Sequence, residues 1–218
     1  MEDKSQKAFV FLNSLFVGSL VIASVLASKI ITVFDLVVPA GVLAYCVTFV
    51  VTDVVSELWG RDKANTVVLG GFVALVFSLI LVRLAILWPP APFWPHDPAF
   101  RTVLDSTSRI IVASLTAYLL SQYHDVWAFH LLRRLTGGKF LWVRNNVSTA
   151  LSQLIDTVVF ITIAFYGLMP ITPLIFGQWV IKLAIALIDT PVVYAAVWLL
   201  KTRRWAPSSP VLQASSSR

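Results

Sequence analysis

Four ionisable side chains lie inside long apolar runs of this 218-residue chain: Asp53, Asp156, Lys182 and Asp189. In hydrocarbon such a group costs roughly 2.5–3.5 kcal/mol on insertion scales, so each needs a partner or a task. Three acids and one base can pair across helices, bind the polar edge of a small molecule, or carry protons. Helical spacing gathers further polar groups around them. Asn146, Thr149, Gln153, Asp156 and Phe160 fall at offsets of 3, 7, 10 and 14, on one helix face. Gln178, Lys182 and Asp189 share a second face, at offsets of 4 and 11. Ser114, Tyr118, Gln122 and Asp125 share a third, at offsets of 4, 8 and 11. Asp53 and Glu57 stand one turn apart. Packing alone would ask only that Lys182 neutralise Asp156 or Asp189. The whole set exceeds that requirement and marks a site.

The elements that must position these groups follow from composition. Apolar residues make up 58% of the chain, charged residues 13%, and mean hydropathy is +0.82. Soluble globular proteins carry roughly 45–50% and about 25%. Too few charges remain to cover a water-facing surface, so lipid must be the solvent. A membrane-crossing helix needs about 17–25 apolar residues. Six stretches qualify: Ala8–Ala27, Leu36–Glu57, Ala64–Trp88, Ser106–Trp127, Asn146–Leu168 and Leu174–Leu200. The first lacks the small-residue cleavage site of a signal peptide. The expected fold is all-α: a polytopic membrane protein with six transmembrane helices in one domain over residues 1–205. A disordered tail is expected over 206–218, from its Pro- and Ser-rich composition.

On a rise of about 1.5 Å per residue, Asp156 and Asp189 fall within roughly 3 Å of their span centres. Lys182 lies about 7–8 Å toward one side and Asp53 about 9 Å toward the other. Between spans, Ser28–Asp35 is expected to be a short loop. Trp88–Pro98, with five prolines and three aromatics, is expected to lie at the membrane interface. Pro191 withdraws a backbone donor beside Asp189 and is expected to interrupt helix six, as in the broken helices of transporters. The tetrapeptide Leu-Ile-Asp-Thr recurs at 154–157 and 187–190, a weak sign of an inverted repeat.

Basic residues give the orientation. With the N-terminus on side one, that side receives twelve of the 17 Lys and Arg, the other side four, and Lys182 lies within a span. Both termini are therefore expected in the cytoplasm. The net charge of +6 is then a topology signal, and no nucleic-acid partner is implied.

Several chemistries are missing. There is no phosphate-binding G-x-x-x-x-G-K-[ST] loop, no HExxH, no Cys/His cluster and no G-x-S-x-G. The three histidines, His96, His124 and His130, lie in loops or near helix ends, so no metal and no cofactor is expected. The one cysteine, Cys46, is read as a packing residue. Asn146-Val147-Ser148 matches a glycosylation acceptor, but the charge count puts it at the cytoplasmic face.

At this point a family pattern becomes visible. Val51-Thr52-Asp53 closes helix two, and Ser108-Arg109-Ile110, Ala113-Ser114, Ala117-Tyr118, Gln122 and Asp125 punctuate helix four. Asn145 to Thr149, Gln153, Asp156-Thr157, Phe160 and Ile163 to Tyr166 do the same on helix five. Together they resemble the queuosine precursor transporter family, in the vitamin uptake transporter group, over residues of about 8 to 200. The resemblance implies a non-enzymatic importer of the bacterial inner membrane. Its substrate would be 7-cyano- or 7-aminomethyl-7-deazaguanine or a related 7-deazapurine, moved by secondary or facilitated transport.

The residues suit such a base. A carboxylate accepts from N1–H and the exocyclic amine together, a role that fits Asp156. Gln153 and Asn146 offer amides for O6 and the ring nitrogens, and Phe160 or Tyr118 can stack on the flat ring. Lys182 can donate to O6, and Asp189 can receive an aminomethyl cation or a coupling proton. Asp53, Glu57 and Arg109 are assigned to gating or coupling.

Two other classes compete. Ala23-x-x-x-Ala27 resembles the small-residue motif of S-type substrate-binding subunits in energy-coupling-factor importers, which would require coupling subunits as partners. Such small-residue faces, with Gly70-x-x-x-Ala74 and Ala113-x-x-x-Ala117, are also compatible with a homodimer or with packing inside one chain. Paired midspan aspartates could serve an intramembrane aspartyl protease. The Tyr-Asp and Gly-x-Gly-Asp contexts of that chemistry are absent here.

Overall fold

Hydrocarbon offers the backbone no hydrogen-bond partners, so apolar runs of this length must satisfy their amides internally, as helices. A computed structural model describes residues 2–135, 141–202 and 205. Side chains are described for these except 2–3, 61, 122–123, 125–135, 141–150, 186–187 and 189–190. The described residues form α1 (Glu2–Leu26), β1 (Ile30–Val33), β2 (Leu36–Pro39), α2 (Val42–Trp59), α3 (Arg61–Leu87), α4 (Asp97–Leu135), α5 (Leu141–Phe165) and α6 (Ile171–Thr202). The expected tail beyond 205 lies outside the described residues.

Among the described residues, four helices are long and apolar enough to cross a membrane, over Lys4–Leu26, Val42–Trp59, Asp62–Leu87 and Asp97–Ser121. Shorter apolar stretches occupy Leu151–Phe165, Ile171–Ile185 and Pro191–Thr202 in α5 and α6. Much of this apolar surface points outward. Leu69, Val73, Phe77, Ile80, Leu84 and Leu87 leave one side of α3 exposed, a face only lipid covers without cost.

Neighbouring helices run antiparallel, and contacts between their ends show it. Ser5 near the start of α1 accepts the indole N–H of Trp59 at the end of α2, at 3.1 Å. Arg83 near the end of α3 pairs with Asp105 near the start of α4, at 2.8 Å. A ring nitrogen of His124 on α4 meets the Ser152 hydroxyl on α5 at 3.1 Å. All six helices thus have one end on the side of the N-terminus and the other on the side of the hairpin. Between α2 and α3 the chain reverses on Gly60 alone, at φ +87°, a left-handed geometry that favours glycine.

Three expectations change. The first is the segment before helix two. Residues expected to be a loop and the start of a span instead form an antiparallel hairpin, with Ile30 opposite Pro39 and Val33 opposite Leu36. Ile-Ile-Thr-Val and Leu-Val-Val suit a pleated surface. The hairpin closes on Phe34 and Asp35, both left-handed, at φ +48° and +63°, as two-residue turns of this twist require. Helix two therefore begins at Val42 instead of Leu36.

The second is helix four, which begins at Asp97, nine residues before Ser106. Asp97 and Pro98 favour a helix start, and the Arg101 guanidinium bonds back to Asp97 at 2.5 Å. The third is Pro191, which lies within α6 without interrupting it. In the Trp88–His96 link, Trp88 and Phe93 are largely exposed and Trp94 packs edge-on against Phe100.

Small residues set how closely the elements meet. The Ala23/Ala27 face of α1 is buried within this chain, under Gly41. A Cβ on Gly41 would stand 2.5 Å from the Ala23 carbonyl oxygen. On α3 it is Gly71, beside the expected Gly70, that admits the Phe16 and Leu20 side chains of α1. Ala113 joins Ala27, Ile161, Ala164 and Leu174 in the core near the hairpin. A Cβ on Gly177 of α6 would fall on the Val37 carbonyl, so the hairpin backbone lies directly against α6.

Candidate functional site

α2 turns one continuous face inward. Tyr45, Thr48, Phe49, Thr52, Asp53 and Ser56 recur at helical spacing and line a cavity of about 410 Å³. Opposite them stand Phe16 and Leu20 of α1, Asn65 and Phe72 of α3, Ser114, Tyr118 and Ser121 of α4, and Ser152, Gln153 and Asp156 of α5. Exposed Asp53, Ser56 and Asn65 lie toward the end of the bundle that carries the N-terminus. The cavity deepens from there to Asp156.

The Lys182 ammonium donates to Asp156 Oδ2 at 2.5 Å, joining α6 to α5. The lysine side chain is 4% exposed and the aspartate 19%, so the cation is sealed beneath while the carboxylate still faces open space. Lys182 Nζ also sits 5.7 Å from the centroid of the Tyr45 ring, a cation–π contact. Two charges removed from water in this way need each other.

Beyond the pair lies a second, smaller space of about 70 Å³, lined by Gln178, Lys182, Phe160, Ser24 and the backbone around Pro39 and Gly41. Asp156, Tyr45, Leu20, Leu75 and Ser114 border both spaces. The two spaces therefore lie side by side, and Pro39 at the end of the hairpin lines the smaller one.

The residues expected from sequence distribute as follows. Asp156, Gln153 and Tyr118 line the larger space, Lys182 and Phe160 the smaller. Tyr118 packs against Phe72 at 6.2 Å between ring centroids, and Phe160 stands edge-on to Phe165 at 6.1 Å. Asp53 lies on the wall near the mouth, while Glu57, one turn further, is exposed and does not line the cavity. Arg109 stands elsewhere, donating to the carbonyls of Ile163 and Tyr166 at 2.6 and 2.7 Å, which ties α4 to the end of α5. The side chains of Asn146 and Asp189 lie outside the described residues, as do those of Gln122 and Asp125.

Tyr45 escaped the sequence reading because an aromatic in an apolar run passes for core. Its spacing of 8 from Asp53, with Phe49 and Thr52 between, carries the signal. No group of three or more His, Cys, Asp or Glu side chains that could hold a metal occurs among the described residues.

Comparison with known proteins gives this site its setting. Residues 39–196 match the family model described as "Putative vitamin uptake transporter". A relative from Bacillus subtilis (strain 168), named "Probable queuosine precursor transporter", is 33% identical over 180 residues, 81% of this chain and 79% of that protein. One from Haemophilus influenzae with the same name is 31% identical over 127 residues, 58% of this chain and 51% of the relative. The "Queuosine precursor transporter" of Escherichia coli (strain K12) is 27% identical over 129 residues, 58% of this chain and 54% of the relative. No solved structure matches the chain significantly. The chain belongs to the vitamin uptake transporter family. It is a multi-pass membrane transporter of a small molecule and not an enzyme.

Proposed function

We propose that the protein imports queuosine precursors, 7-cyano- or 7-aminomethyl-7-deazaguanine or a close 7-deazapurine, across the bacterial inner membrane. The relatives' names support this substrate class. The observation that carries it to a site is the Asp156–Lys182 pair at the inner end of the 410 Å³ cavity, with the carboxylate side chain 19% exposed. A cavity of this size suits a small, largely enclosed ligand. Asp156 accepts N1–H and one exocyclic amine hydrogen of the base, Lys182 donates to O6, and Gln153 meets the remaining ring polar atoms. Tyr118 or Phe160 stacks on the ring. Asn146 and Asp189 keep the roles their helix faces suggest, and Asp53, Glu57 and Arg109 act in gating or coupling.

In this reading six helices cross the membrane, with both termini in the cytoplasm. Twelve of the 17 basic residues support that orientation. The wide mouth at Asp53 and Ser56 then faces the cytoplasm, and the hairpin lies on the outer side. Transport is secondary or facilitated and is carried by this chain alone. Burial of Ala23 and Ala27 beneath Gly41 supports that, since a docking face for a coupling subunit would lie exposed.

The test uses cells that cannot synthesise the precursor and need an external base to make queuosine-modified tRNA. The wild-type chain restores the modification; Asp156→Asn and Lys182→Ala, matched for membrane abundance, do not. Modification at wild-type levels by both variants would remove the site from the account.

A further inference from the structure

Among the described residues that line the larger cavity, two side chains are charged, Asp53 and Asp156, and neither a lysine nor an arginine joins them. Asp156 is neutralised from behind by Lys182. Asp53 belongs to none of the ion pairs among the described residues, which join Arg83 to Asp105, Arg101 to Asp97 and Lys182 to Asp156. It is exposed and sits in the middle of the inward face of α2, with Thr48, Phe49, Thr52 and Ser56 lining the cavity on either side of it. A carboxylate within an apolar span is costly and calls for a task. The wall nearby is also rich in acceptors. Thr48, Thr52 and Ser121 line the cavity, and each donates its hydroxyl hydrogen to a helix carbonyl: Thr48 to Tyr45, Thr52 to Thr48 and Phe49, Ser121 to Tyr118. With those hydrogens committed, their oxygens have only lone pairs left to offer. A cavity with a surplus negative charge and committed donors suits a cation that brings its own hydrogens.

We infer that Asp53 is a specificity-determining residue, whose carboxylate receives the cationic amine of an aminomethyl-substituted base and so favours that base over a neutral one of the same shape. This rests on the proposed transport of 7-deazaguanines with Asp156 at the polar edge of the ring. Tyr45, beneath the Lys182 ammonium, precedes Asp53 by eight residues, about 12 Å along α2. A bicyclic base with one short substituent on its five-membered ring fills such an interval, once a hydrogen bond of about 2.8 Å is added at each end. An alkyl amine is an ammonium at neutral pH, and its pairing with a carboxylate is a charge-assisted hydrogen bond. A neutral substituent gains no such attraction. The contact adds a binding role to the gating role of Asp53, and the cation is assigned to Asp53 in place of Asp189.

The test measures equilibrium binding of 7-aminomethyl-7-deazaguanine and of its neutral counterpart, 7-hydroxymethyl-7-deazaguanine, to the purified full chain. The two differ in charge and hardly in shape. Wild type should bind the amine about tenfold more tightly than the alcohol. In Asp53→Asn, which keeps the shape of the side chain and removes its charge, the ratio of the two affinities should fall to near one. Asp53→Glu, which keeps the charge, should retain the preference. Equal affinities in wild type, or a preference undiminished in Asp53→Asn, would overturn the inference while leaving the transport reading in place. The wild-type comparison decides by itself if a variant does not fold. Failure of the folded wild type to bind either base would overturn both.

Discussion

An aspartate that pairs with a buried lysine at the wall of a cavity has a structural role and, in the proposed reading, a binding role as well. The two roles separate by mutation. Asp156→Asn leaves the Lys182 ammonium buried without its counter-charge, and breaking such a pair costs about 3–5 kcal/mol. Thermal melts of the purified protein should show that loss. Adding Lys182→Met should recover most of it while uptake stays absent. A double variant that transports would contradict the binding role of the pair. The groups in this pair were legible in sequence because intramembrane charge is costly and helical offsets placed each on a polar face. Which acid Lys182 selects was not legible, since Asp156 and Asp189 stood at similar depth. Tyr45 beneath the ammonium was missed as a site group, and Gln178 was placed on a polar face without a role, for another reason. Their significance depends on what neighbouring helices bring to them.

Elements meet here by backbone contact, and glycine makes that contact affordable. A Cβ on Gly177 would fall on the Val37 carbonyl, and one on Gly41 would stand 2.5 Å from the Ala23 carbonyl. Gly177→Ala and Gly41→Ala should therefore each lower stability by about 1–3 kcal/mol, read as a reduced melting temperature. Gly18→Ala is the control. A Cβ there meets nothing within 4 Å, and a mid-helix alanine should be neutral or stabilising. A Gly177→Ala protein as stable as wild type would mean that the hairpin is not held against α6. The helices were legible from apolar length, but the hairpin was not. Its strands continue the apolar run of the neighbouring span, and its turn uses Phe34 and Asp35 at left-handed angles where Asn-Gly would have announced it. The start of α4 was hidden differently: Asp97 and Pro98 carry a helix-start signal, but they sit in a proline-rich stretch where hydropathy is low.

At the scale of the whole molecule, a cavity mouth near one end of the bundle and a hairpin at the other make a directional prediction. In a Cys46→Ala background, Ser56→Cys at the mouth should react with a membrane-impermeant thiol reagent only from the cytoplasmic side. Phe34→Cys, at a position 93% exposed on the hairpin turn, should react only from outside. The reverse pattern would invert the orientation drawn from the basic residues. The most direct test of the central claim is uptake of labelled 7-cyano-7-deazaguanine into liposomes that contain only the purified chain. Saturable uptake by wild type, with none by folded Asp156→Asn, is the expected result. No uptake by folded wild type, or equal uptake by both proteins, would contradict it.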